Sequence, residues 1–292
     1  MSQRIISLVV STAVVFLAAS AVSAQGVDLS ALKTRSSFGA AEEGQIAAGI
    51  KAEVDKVITG QEDVLVSDAR DKLTKLVEDS SATAEFRATA ARVIVLEIKS
   101  RLNLAVSHRN SLACALVVSR MQNAESVEVL VKLLGEGPYP SVRYWAAKGL
   151  ASPAVVEIIR TGKGTAVTQA AVIQAVSAAV KRETSPIAAA ELFGVLGALQ
   201  TESAVDALVA AVADRARSYD LGQQAAAEAM KTAVSLLQDA YGRERREASA
   251  GKQPIIAAMV QILVRTPPHS MNGGSLELLE MLDATLTKLT GE

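Results

Sequence analysis

Two stretches of this chain repeat one another at a fixed distance. Cys114, Val117, Val118 and Met121 share one helical stripe, followed after a turn by Val127, Leu130, Val131 and Leu134. Seventy-eight residues further on stand Leu192, Val195, Leu196 and Leu199, then Val205, Leu208, Val209 and Val212, and Gln122 and Gln200 coincide at the turn. Phase is kept through a helix, a turn and a second helix without a gap. An offset of 78 is two units of about 39, within the length range of helical-pair repeats. A single pair of amphipathic helices cannot cover its own stripe, so such units have to stack.

Residues 139–159 read as one such unit. Val142, Trp145, Ala146, Gly149 and Leu150 fall at i, i+3, i+4, i+7 and i+8, one face of an α-helix. Ser152 and Pro153 supply an N-cap and an N1 proline, and Val155, Ile158 and Ile159 line the next helix. Half the chain is apolar but only 3% is aromatic. The core must therefore be built from Ala, Val, Leu and Ile, side chains that let helices lie close together.

Thirteen helices are expected: 44–58, 62–78, 83–102, 108–122, 125–135, 140–151, 153–160, 165–182, 186–200, 202–218, 222–248, 254–265 and 275–290. Gly, Pro, Ser or Asn mark the connections, as at 135–138, 162–164 and 267–268. Three helices, an odd number, separate the two matching pairs, which predicts an irregularity near 160–165, where glycines flank Lys163. The helix with Leu276, Leu279, Leu282 and Leu286 on one stripe is expected to cap the stack.

Residues 1–24 stand apart. Arg4 is their only charge, Ile5 to Ala19 is an apolar run, and Val22-Ser23-Ala24 precedes Gln25. This is the layout of a secretory signal peptide cleaved after Ala24; an uncleaved membrane anchor is the alternative. Residues 25–43, small and polar with weak periodicity, read as a flexible arm, and 44–292 as the folded domain. Without the leader, 29 basic and 31 acidic residues remain. That near-neutral balance offers no footprint for nucleic acid, and no later segment is apolar enough to span a membrane. Cys114 is the only cysteine, so an internal disulfide is impossible; lying in an apolar run, it reads as a buried, inert thiol.

No catalytic or metal-binding pattern emerges. His108 and His269 are the only histidines, and the sequence contains no HExxH, His–Cys cluster or EF-hand spacing. A Gly-x-Ser-x-Gly elbow is absent. Thr161-Gly162-Lys163-Gly164-Thr165 lacks the glycine spacing and the preceding strand of a phosphate loop, and reads as an inter-helix connection. Glu125, Glu128 and Glu157 fall on polar helix faces, and Arg243, Arg245 and Arg246 alternate with Glu244 and Glu247 as helix salt bridges would. No cofactor is indicated. Tyr139, Tyr144 and Trp145, three of nine aromatic residues, lie within seven positions. Trp145 is on the stripe and is expected in the seam between helices. Tyr139 and Tyr144 are off it, where tyrosines serve binding surfaces.

The run Pro140-Ser141-Val142-Arg143-Tyr144-Trp145-Ala146-Ala147-Lys148-Gly149-Leu150, with Val155-Val156-Glu157-Ile158-Ile159 after it, resembles HEAT and HEAT-like repeats. Units of that family often open on a short x-Val-Arg-x-x-Ala-Ala-x-x-Leu helix. The resemblance is strongest over 108–160, fair over 186–218 and weak elsewhere. It implies an all-α fold, a right-handed α-solenoid of stacked antiparallel helix pairs, and a concave face that binds a protein partner. On that face it would place Glu128 and Lys132, then Glu157 and Arg160. The expected function is an exported, non-enzymatic scaffold of the periplasm or envelope. The alternative is an enzyme-associated or lyase-type HEAT-like protein acting on a bound small molecule.

Overall fold

A computed structural model of the chain describes residues 28–244, 250–267 and 273–290. All regular structure among them is helical, with no strand. The helices are α1 (Ala40–Thr59), α2 (Asp63–Glu78), α3 (Ala84–Arg101), α4 (His108–Met121), α5 (Ala124–Glu136), α6 (Pro140–Leu150) and α7 (Pro153–Thr161). After them come α8 (Gln169–Arg182), α9 (Pro186–Leu199), α10 (Glu202–Ser218), α11 (Gln224–Arg243), α12 (Lys252–Arg265) and α13 (Gly273–Thr290). The leader expected over 1–24 lies outside the described residues, as do 245–249 of the charged tail and 268–272 of the proline-rich loop.

Helix starts are written locally. Side chains of Thr83, Ser107, Asn123, Thr168 and Ser185 each accept a hydrogen bond from the backbone N–H three residues on, occupying a donor that helix geometry leaves free. Pro140, Pro153 and Pro186 open α6, α7 and α9, where a missing N–H costs nothing.

The helices pack in two rows. In the first, α2, α4, α6, α9, α11 and α13 each lie against the next; in the second, α3, α5, α8, α10 and α12 do the same. α1 closes one end against α2, α3 and α4. The odd helix is α7, nine residues long, which touches α5, α6, α8 and α9 while α5 packs directly on α8. Behind it the chain returns through Gly162 and Gly164, both at positive φ (66° and 77°), a conformation only glycine adopts freely. The α4–α5 and α9–α10 pairs thus stay in phase, and their turns match in detail. Gln122 (φ 48°) and Gln200 (φ 56°) end α4 and α9 and are the only non-glycine residues at positive φ among those described.

The core is aliphatic, as composition demands; Phe86 and Phe193 are its only fully buried aromatics among the described residues. Row-one helices approach closely. A Cβ on Gly149 of α6 would lie 2.9 Å from Ser119 Cα of α4 and 3.0 Å from a Leu130 methyl.

The segment read as a flexible arm is bound to the fold from its fourth residue on. Leu29 and Leu32 are buried, Phe38 meets Phe86 edge-on at 6.2 Å, and Thr83 donates its N–H to Lys33 O (2.8 Å) and its hydroxyl to Arg35 O (2.5 Å). A single turn with two leucines three apart is too short to show periodicity. α1 also starts four residues earlier than expected, at Ala40, and α8 four later, at Gln169.

Gly149→Ala should destabilise the protein by about 1–3 kcal/mol, the usual cost of overpacking, because the backbone of Ser119 cannot move aside. Gly194→Ala, in the interior of α9 with nothing within 4 Å of the added Cβ, should instead gain roughly 0.5–1 kcal/mol. Urea unfolding followed by circular dichroism measures both; a stabilising Gly149→Ala would contradict the α4–α6 packing.

Candidate interaction surface

α6 lies between α4 and α9 and rests on α5, so it is buried over a wide arc: Val142, Arg143, Ala146, Ala147, Gly149 and Leu150. That arc is rotated from the stripe read in the sequence. Arg143 is inside, and Trp145, expected in the seam, is at its edge and only half-buried. Tyr144 is half-buried as well. The two rings meet edge to face at 5.4 Å, and Lys148 sets its ammonium 5.5 Å from the Tyr144 ring and 5.0 Å from the Trp145 ring. Such cation–π contacts hold the exposed lysine over both rings.

Trp145 and Lys148 of this cluster line a groove of about 340 Å³ between α4, α6 and α9, together with Arg120, Ser152 and Glu191 among others. Arg120 and Gln122 also line a second groove of about 440 Å³, which continues past the end of α2 through Glu78 and Arg87. The two grooves therefore meet at Arg120 and Gln122, at the end of α4.

The other sequence candidates divide. Tyr139, at the N-cap of α6, is half-buried; its ring lies 4.5 Å from that of His108, whose Nε2 is 2.7 Å from Ser141 Oγ. It therefore latches α6 to α4. Glu128 is exposed on α5 and accepts from Lys99 of α3 at 2.7 Å. Lys132 faces Glu136 at 3.8 Å, and Glu157 faces Arg160 at 3.7 Å along α7. Glu128 and Lys132 lie on α5 of row two, Glu157 and Arg160 on the odd helix α7; none of the four lines the Trp145 groove, and their pairs are of the exposed kind that contributes little to stability.

The sequence reading missed a polar network at the opposite ends of these helices. Arg143 and Glu183 are buried and face each other in bidentate geometry. Arg143 Nε donates to Oε2 at 2.5 Å and Nη2 to Oε1 at 3.0 Å, while Nη1 donates to Gly137 O at 2.8 Å. The Ser185 N–H completes Oε1 (2.9 Å), and Arg215 and Tyr219 donate to Glu183 O (3.0 and 3.4 Å). Burial pushes the Tyr219 phenol up to about 12, so it remains a donor. The only trace of this network in the sequence is an arginine inside a helix motif and a lone Glu between two helices.

Burial drives the Cys114 thiol up to about 12, far from the thiolate that reacts. No group of three or more His, Cys, Asp or Glu side chains is placed to hold a metal among the described residues. No helix among them is long and apolar enough to cross a membrane. No protein-family model matches this chain, and no curated protein or solved structure matches it either.

Arg143→Ala should cost about 3–5 kcal/mol, since it leaves Glu183 charged and buried. Trp145→Ala should cost less than the 3–5 kcal/mol that truncating a fully buried large aromatic does, because the indole lies at the edge of the core and is partly exposed. Denaturant unfolding of the two variants beside the parent decides it. A larger loss at Trp145 than at Arg143 would restore the sequence-derived face.

Proposed function

We propose that this chain is an exported, non-enzymatic scaffold of the HEAT-like kind, which binds a protein in the periplasm or envelope. On this reading the two rows are the two sides of a right-handed α-solenoid of antiparallel pairs. The observation that carries it is the Tyr144–Trp145–Lys148 cluster, whose partly exposed Trp145 and exposed Lys148 line a groove between α4, α6 and α9. Aromatic residues at the edge of a groove are what protein interfaces use as anchors. In a chain so poor in aromatics, two adjacent rings beside one groove are a large share. The charges on α5 and α7 then form a separate, secondary face. The resemblance over 108–160 and the leader-like 1–24 support the scaffold and its export respectively.

The test places a photo-crosslinking residue at position 144, and separately at the exposed Arg217, in protein expressed in its native host. One discrete adduct is expected from 144 and not from 217, and it should weaken severalfold in a Lys148→Glu variant. Equal labelling from both positions would overturn the groove as the binding face. Mass spectrometry of the same material should show a chain beginning at Gln25; a retained Met1 in the cytoplasmic fraction would end the export reading.

A further inference from the structure

The Trp145 groove lies at one edge of the two-row stack, where α4 and α6 end. The other edge gathers the starts of the row-one helices and the ends of the row-two helices. There Arg109 of α4 meets Asp63 of α2, His108 of α4 meets Ser141 of α6, and Arg182 and Arg215 join the ends of α5, α8 and α10. α12 starts at the Trp145 edge, with Lys252 5.0 Å from the ring of Tyr241 near the end of α11, so it ends at this one. Nine large apolar side chains are exposed among the described residues, and seven of them stand here. Val64 and Leu65 open α2, Leu104 and Val106 precede α4, Ile187 opens α9, Val264 closes α12 and Leu276 opens α13. Their exposure runs from 44% at Leu65 to 80% at Val106. The other two, Leu96 and Val260, sit inside α3 and α12, and among the described residues the Trp145 edge has none.

Backbone groups at this edge are met from within the fold. Asn110 donates to Val57 O and Gly60 O, Arg182 to Leu134 O, and Arg215 to Lys181 O and Glu183 O. Ser107 and Ser185 cap the starts of α4 and α9. Unmatched backbone is what keeps irregular structure out of hydrocarbon, so this arrangement lets the edge give up water. Its ion pairs, Asp63–Arg109, Lys132–Glu136 and Asp214–Arg217, hold both signs together, which matches a head group that itself carries both. Helices packed 8–10 Å apart spread the apolar tips over roughly 40–50 Å from α2 to α13. Protein interfaces concentrate on one packed centre. Single tips in file suit a soft surface that each can enter alone.

We infer that this edge rests on a lipid bilayer of zwitterionic head groups, into which the seven exposed apolar side chains insert while the helices stay above it. The contact is peripheral and driven by burial of those tips rather than by net charge. The inference goes beyond the scaffold reading. It uses the edge opposite the Trp145 groove, which is left facing away from the membrane and open to a protein.

The test is flotation of the chain from Gln25 on, which contains every described residue, with vesicles of phosphatidylcholine alone and of phosphatidylcholine mixed with phosphatidylglycerol. Binding to both is expected, little changed by salt, because salt screens exposed charge and leaves apolar insertion intact. A Val106→Asp, Ile187→Asp double variant should bind at least about tenfold more weakly. Gln253→Asp, at the other edge, should bind as the parent does, and unchanged circular dichroism spectra show that both variants fold. An environment-sensitive dye on Val106→Cys should shift to the blue with vesicles and one on Gln253→Cys should not; Cys114 is buried and takes no label. The dye decides independently of the double variant. The proposal is overturned if no vesicle binds, if only vesicles with phosphatidylglycerol bind, if the double variant floats like the parent, or if both dyes shift alike. A discrete protein cross-linked from position 106 in the native host, with no lipid bound, would assign the edge to a protein instead. None of these outcomes alters the cross-link expected at position 144.

Discussion

An α-helix leaves its last carbonyls without intrahelical partners, and a two-row stack brings many such ends together where water is scarce. Here they are met by side chains from helices packed alongside. Asn110 of α4 donates to Val57 O and Gly60 O at the end of α1 (2.9 and 3.1 Å). Arg182 of α8 reaches Leu134 O, and Arg143 of α6 reaches Gly137 O, at the end of α5. Arg215 of α10 reaches Lys181 O and Glu183 O at the end of α8 (3.2 and 3.0 Å). Each bond both satisfies a carbonyl and fixes how far one helix sits from its neighbour. Removing charge from water is costly, but an apolar residue in the place of Arg143 would leave Gly137 O unmatched and Glu183 charged in the interior. Glu183 earns its burial by presenting two oxygens to three donors, from two elements. The stack's geometry depends on this chain of arginine-to-carbonyl bonds more than on any one apolar contact.

The apolar side of the packing works through smallness rather than bulk. α6 has Ala146, Ala147 and Gly149 on its buried arc, so α4 and α9 can press on it from both sides. Small side chains give up burial per residue but allow many short contacts, and dispersion rises steeply at close approach. The same smallness makes the seam intolerant: a backbone atom 2.9 Å from a missing Cβ has nowhere to go. Rigid seams and side-chain-pinned ends together make a surface whose grooves have a fixed shape, the property a scaffold needs.

The helices were legible in the sequence because their stripes are long and their caps explicit; α10 is found at the bounds read from its pattern, Glu202–Ser218. The 78-residue offset was legible because it rests on paired signals, and the matching left-handed glutamines show that it extends to the backbone. Faces were less legible. A helix packed on three sides has a buried arc wider than one stripe, and periodicity alone cannot say where its centre lies. Hence Trp145, read in the seam, lies at its edge, and Arg143, which is not on the stripe, is buried. The carbonyl network was invisible for a different reason. Arg143 and Glu183 are 40 residues apart, and a buried arginine has the same local signature as a solvated one. The turn at residues 28–33 escaped notice because what holds it lies far off in the chain, at Gly49 of α1 and Thr83 at the start of α3, and leaves no local pattern.

At the Trp145 groove the charges are mixed rather than of one sign. Lys148 stacks on two rings, Arg120 has Glu78 in reach, and Glu191 adds a carboxylate to the same wall. On the scaffold reading, mixed charge beside partly exposed rings suits a partner surface of equally mixed composition. The Arg120–Glu78 pair also ties this groove to its neighbour at the end of α2, so a change at one is felt at the next, as in any stack whose units are stabilised mainly by their interfaces.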